Sequence, residues 1–156
     1  DRGMSPAGAG AVLALGQVAG LVSSLIAPII AGRFHDQRAV TGAALAICGV
    51  GFVGLLATDQ WPTLWVMLVM TGPGASISLA QLFMVLRSTS TTQTSQVSGM
   101  AQSVGYILAA VGPVAIGALH DVTGSWTIAM SALALVLIPQ AASTAVAARN
   151  VTMSRS

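Results

Sequence analysis

The placement of charge constrains this chain more than any other feature. Residues 3–32, 39–58, 60–86, 88–120 and 122–148 contain no Asp, Glu, Lys or Arg. A helix that crosses a bilayer needs about 20 mostly apolar residues, and every one of these runs is long enough. The fourth opens with a Ser/Thr/Gln-rich stretch, 88–96, which reads as a loop and leaves about 23 residues of helix behind it. The pattern predicts five transmembrane helices, over about 5–31, 39–57, 62–86, 97–119 and 125–147. Only 6% of the residues are charged and 54% are hydrophobic, whereas soluble domains carry about 25% charged residues. Such a chain cannot cover a water-facing surface, so the expected fold class is an all-α integral membrane protein with the lipid bilayer as its main partner.

The net charge of +2 comes from six Arg and four Asp, with no Lys. It is too small and too scattered for a nucleic-acid partner, which requires a clustered basic face. The single cysteine, Cys48, leaves no intramolecular disulfide to form. The first apolar run is too long for a signal-peptide core and lacks a basic leader. Across five alternating spans, Arg33, Arg38, Arg87, Arg149 and Arg155 fall on one side. Arg2 falls on the other, with Asp1, Asp59 and Asp121. By the positive-inside rule the C-terminus is expected in the cytoplasm. Trp61, Trp65 and Trp126 then form an aromatic belt at the outer edge.

Polar or helix-interrupting residues at mid-membrane depth are costly unless they face protein or a water-filled cavity. Gln17 is near the middle of the first span; its alternatives are a bond to a neighbouring helix or a place on a cavity wall. Thr71-Gly72-Pro73-Gly74 interrupts the third span almost halfway along, and such interruptions are pointers to a transport site. Gln81 lies nearly two turns further on. In the fourth span Gln102, Tyr106, Ala109 and Pro113 share one face. The second and fifth spans have almost no such positions. The candidate substrate pathway is therefore Gln17, Gly72, Pro73, Gly74, Gln81, Gln102 and Tyr106. Other signals read as packing. Gly16, Gly20, Ser24, Pro28 and Gly32 form a small-residue stripe on the first span, and Pro28 should kink its inner end. Gly49-Val50-Gly51-Phe52-Val53-Gly54 fits G-x-G-x-x-G, but it lies inside an apolar helix and not between a strand and a helix. It is read as a close helix contact.

One set of motifs carries a resemblance. Leu86-Arg87, Ser98-Gly99-Met100-Ala101-Gln102-Ser103-Val104-Gly105-Tyr106, Gly112-Pro113, His120-Asp121 and Thr123-Gly124-Ser125-Trp126 resemble the penultimate helix, outer turn and last-helix entry of a major facilitator superfamily transporter, in the cyanate and nitroimidazole permease branch. That superfamily is built of two six-helix halves with inverted three-helix repeats. The resemblance implies that this chain supplies helices eight to twelve, most of the C-terminal half. A missing N-terminal half is then its expected partner, because Asp1 leads almost directly into a span. It also implies that helices eight, ten and eleven border the central cavity, the same three that hold the polar positions. The segment Gly32 to Arg38 resembles the loop between helices eight and nine, with Gly32-Arg33 where Asp-Arg is usual; Arg33, Asp36 and Arg38 are its implied cytoplasmic gating residues.

The implied function is a secondary active permease of the bacterial inner membrane. It would carry a small solute, cyanate-like or another small anion or nitrogen compound, by alternating access, and the fragment alone would be inactive. No cofactor, metal or catalytic group is expected. Two alternatives stand beside it. One is a non-transporting scaffold or truncated product. The other is an intramembrane enzyme, which needs a nucleophile and base within reach. His120 sits in an outer turn, and Ser76, in Gly74-Ala75-Ser76-Ile77-Ser78, lacks the flanking glycines of such enzymes. His35 and His120 fall on opposite sides of the membrane, which argues against a shared metal.

Overall fold

A computed structural model describes residues 5–34, 37–88 and 90–147. The chain forms five helices: α1 Pro6–Ala31, α2 Arg38–Ala57, α3 Pro62–Arg87, α4 Thr91–Thr123 and α5 Trp126–Ala147. All five are long and apolar enough to cross a membrane. No strand occurs among the described residues.

The ends follow from local chemistry. Ser5 is extended and its Oγ accepts from the Gly8 N–H at 3.1 Å, while Pro6 fills the first helical position, where a missing N–H costs nothing. α1 remains helical through Pro28. α3 starts after Trp61, whose φ of 61° is strained for so bulky a residue. That corner is tied down from inside, since Trp65 Nε1 donates to the Gln60 carbonyl at 2.9 Å.

α4 is longer at both ends than the sequence pattern suggests. The stretch read as a loop, 88–96, is helical from Thr91, because Ser90 Oγ accepts from the Gln93 N–H and caps the helix. At the far end the expected polar turn from His120 is helical through Thr123. There Gly124, at φ 62°, returns its N–H to the His120 carbonyl at 2.7 Å, a left-handed glycine cap. Thr94 and Thr123 bond back to the carbonyls four residues earlier, so polar residues at the ends fit within the helix. Its 33 residues span about 50 Å at 1.5 Å per residue, well beyond the roughly 30 Å of bilayer hydrocarbon.

α3 is the centre of the assembly. α1 packs parallel to it on one side and α2 antiparallel on another, α2 also meets α5, and α5 meets α4. Small residues let the backbones approach. Gly16 lies against Val66 and Met70, and Gly20 against the Met70 carbonyl. The indole of Trp65 covers Gly54, and Gly51 meets Val69. The stripe on α1 changes position past Gly20: Ala27 and Ala31 are buried, and Ser24 is only half-buried. Ala27 and Ala31 join Ala75, Leu79 and Phe83 in one apolar cluster; Cys48, Phe52 and Val69 form a second. Most remaining large apolar side chains point outward, as a bilayer solvent permits.

Candidate substrate pathway

The candidate residues divide into packed and exposed positions. Gly72, Pro73 and Gly74 lie at the midpoint of α3, and the glycines are filled by neighbours. A Cβ at Gly72 would stand 2.6 Å from Cys48 Sγ of α2, and one at Gly74 would collide with the Gly20 backbone of α1. Pro73 between them is exposed. α3 stays helical through the whole segment, so the expected interruption is one of hydrogen bonding and not of path. Its carbonyls have side-chain partners. Cys48 Sγ donates to Val69 O at 3.3 Å, Ser23 Oγ to Thr71 O at 2.9 Å, and Thr71 Oγ1 to Leu68 O at 2.7 Å.

Gln17, Gln81, Gln102 and Tyr106 form the second group. All four are exposed, Tyr106 to 70%. None makes a side-chain hydrogen bond among the described residues. Tyr106 lies one residue from the midpoint of α4, a helix with no buried residue at all. Ser103 beside it bonds back to Gly99 O at 2.8 Å. These side chains offer neutral donors and acceptors at membrane depth, on surfaces that the five helices leave uncovered.

Of the loop residues, Arg33 is exposed and Arg38 opens α2; Asp36 lies outside the described residues, as does His35. Arg38, Thr41 and Thr144 line a shallow cavity of about 370 Å³ between α2 and α5. Gln37 Nε2 donates to Phe34 O at 2.8 Å and closes the α1–α2 turn.

Sequence reasoning missed three features. Gln140 Nε2 of α5 donates to Ser76 Oγ of α3 at 2.8 Å; a lone glutamine next to Pro139 in an apolar span was the available signal. Thr41, Ser76, Ser143 and Thr144 contribute to a cavity of about 320 Å³ walled by α2, α3, α4 and α5, which no sequence spacing reveals. Cys48, read from the sequence as a packing residue, is also a hydrogen-bond donor.

What this arrangement defines is a polytopic, all-helical integral membrane protein with exposed polar side chains along its apolar helices. Comparison with known proteins gives the family. The chain is 40% identical over 140 residues to the "Uncharacterized transporter YycB" of Bacillus subtilis (strain 168), covering 88% of this chain and 35% of that protein. It is 37% identical over 136 residues to the "2-nitroimidazole transporter" of Escherichia coli (strain K12), covering 87% and 35%. With the "Putative anionic 4-hydroxy-benzoate permease" of Thauera aromatica it shares 39% over 118 residues, 76% of this chain and 67% of that protein. No family model matches the chain, and no solved structure does. The chain belongs to the major facilitator superfamily of transporters and resembles its cyanate and nitroimidazole permease branch. It spans about a third of the length of the first two relatives. All are named as transporters or permeases and none as an enzyme, which removes the intramembrane-enzyme alternative.

Proposed function

We propose that this chain forms most of the C-terminal half of a secondary active transporter of the bacterial inner membrane. The solute is small and either anionic or nitrogen-containing, in the range of cyanate, 2-nitroimidazole and 4-hydroxybenzoate. Support for the solute class comes from the relatives' names. The observation that carries the reading is that Gln17, Gln81, Gln102 and Tyr106 stand exposed and unpartnered on long apolar helices. Facing hydrocarbon, these groups would be costly; facing an N-terminal half across a wet cavity, they are solvated and useful. The five charge-free runs contain no Arg, Lys, Asp or Glu. Binding from this side therefore works through neutral hydrogen bonds, and any ion coupling resides in the other half. The halves would rock about this site, with Arg33, Asp36 and Arg38 in the cytoplasmic gate.

Uptake of labelled 2-nitroimidazole, cyanate and 4-hydroxybenzoate into proteoliposomes holding the full-length protein tests the class. At least one should enter faster than into empty vesicles, and entry of none would overturn the assignment. Residues 1–156 alone should carry none. Orientation is tested with single cysteines in a Cys48→Ser background. Replacements at Asp59 and Asp121 should react with an impermeant thiol reagent from outside, and those at Arg33 and Thr92 should not. The reverse pattern would refute a cytoplasmic C-terminus.

A further inference from the structure

Pro73 has no N–H, so the carbonyl four residues earlier, Val69 O, loses its backbone donor, and the proline ring crowds it as well. At the midpoint of a membrane helix, water does not replace that donor. The place is taken from outside the helix. Cys48 Sγ, on a residue only 2% exposed, donates to Val69 O at 3.3 Å. One residue before Gly72, Ser23 Oγ of α1 donates to Thr71 O at 2.9 Å. The thiol reaches α3 because position 72 is glycine, where a Cβ would stand 2.6 Å from the sulfur. The two donors come from helices on different sides of α3, at the depth where its own ladder is incomplete.

We propose that Cys48 and Ser23 brace α3 at Pro73, as positioning residues through which α2 and α1 set the shape of the cavity-bordering helix during transport; this rests on the transporter reading above. A thiol is a weak donor and a hydroxyl a stronger one. The α2 side of the brace is therefore the releasable side, and the α1 side is the firmer. The brace reassigns the mid-membrane carbonyls of α3: those at Leu68, Val69 and Thr71 serve the helix and its neighbours, leaving the solute to the exposed polar side chains. Cys48 thereby has a role beyond filling space.

The experiment uses the full-length protein and its Cys48→Ser and Cys48→Ala variants. The infrared difference spectrum of parent minus Cys48→Ala isolates the Cys48 S–H stretch without reference to transport. A band lowered from that of a free thiol is expected, and a band at the free-thiol position overturns the brace. Turnover per folded molecule is then read with whichever of 2-nitroimidazole, cyanate and 4-hydroxybenzoate the parent carries. Cys48→Ala should lose about 2–3-fold in maximal rate, the low end of the value of one neutral hydrogen bond because a thiol is a weak donor, with KM nearly unchanged. Cys48→Ser, which restores a donor, should recover it. An Ala variant that melts lower but turns over as fast as the parent would show a merely structural contact and overturn the positioning role. A parent that moves none of 2-nitroimidazole, cyanate and 4-hydroxybenzoate while its thiol band is shifted would sink the transporter reading, and the positioning role with it, but uphold the brace itself.

Discussion

The α1–α3 seam and α4 are built from the same kinds of residue and do opposite things with them. On the seam, Gly16, Gly20 and Gly74 lie against another backbone or side chain. On α4, Gly99, Gly105, Gly112 and Gly117 have nothing within 4 Å of where a Cβ would be, and no residue of the helix is buried. Both regions carry a proline inside a helix, Pro73 and Pro113. The seam has thus already used its small residues, whereas α4 presents its own, together with Gln102 and Tyr106, to whatever covers that face. A glycine in a membrane helix permits close approach, but it does not name the partner.

The comparison can be broken most decisively at Gly74. Replacing it with leucine drives a side chain into the Gly20 backbone, and full-length Gly74→Leu should not accumulate as folded protein, as monitored by size-exclusion of a fluorescent fusion. Gly74→Ala is milder. Overpacking of this kind costs about 1–3 kcal/mol, to be read from melting of the purified protein. Gly105→Ala should stay within about 0.5 kcal/mol of the parent, as open sites usually do. An equal loss at both positions would show that α4 in the whole protein is covered as closely as α3.

Tyr106→Phe sharpens the comparison from the functional side. If the exposed phenol meets solute, losing its hydrogen bond should weaken transport about 2–10-fold while leaving melting unchanged. Unchanged transport with a lowered melting temperature would make Tyr106 a helix brace. The smallest effect is expected at the α3–α5 contact. Hydrogen bonds between membrane helices average about 0.6 kcal/mol, so Gln140→Leu should shift stability by about that amount, measured by unfolding in mixed detergent.

The number of helices was legible in the sequence because charges cannot enter hydrocarbon cheaply, and Arg33, Asp59, Arg87 and Asp121 therefore mark the boundaries. The true ends of α4 were less legible. Its polar flanks 91–96 and 120–123 lie outside the apolar pattern, and only the caps at Ser90 and Gly124 settle them. Candidate residues were legible as polar side chains at depth, but their grouping was not. The mid-span Gly-Pro-Gly interruption placed Gly72 and Gly74 beside a pathway, although close contact with Cys48 and Gly20 occupies both. Gln140 was missed because one polar residue in an otherwise apolar span carries no period, and its partner Ser76 is 64 residues away.

The corner between α4 and α5 has a mechanical consequence. Gly124 and Ser125 are the whole connection, and the rings of His120 and Trp126 stack across it with centroids 3.9 Å apart. Six residues, by contrast, join α1 to α2. A short, stacked corner resists torsion, so α4 and α5 should tilt together as one lever. Rotation of α4 at one membrane face would then sweep the far end of α5 past α2 at the other, carrying displacement across the bilayer without a flexible joint in between.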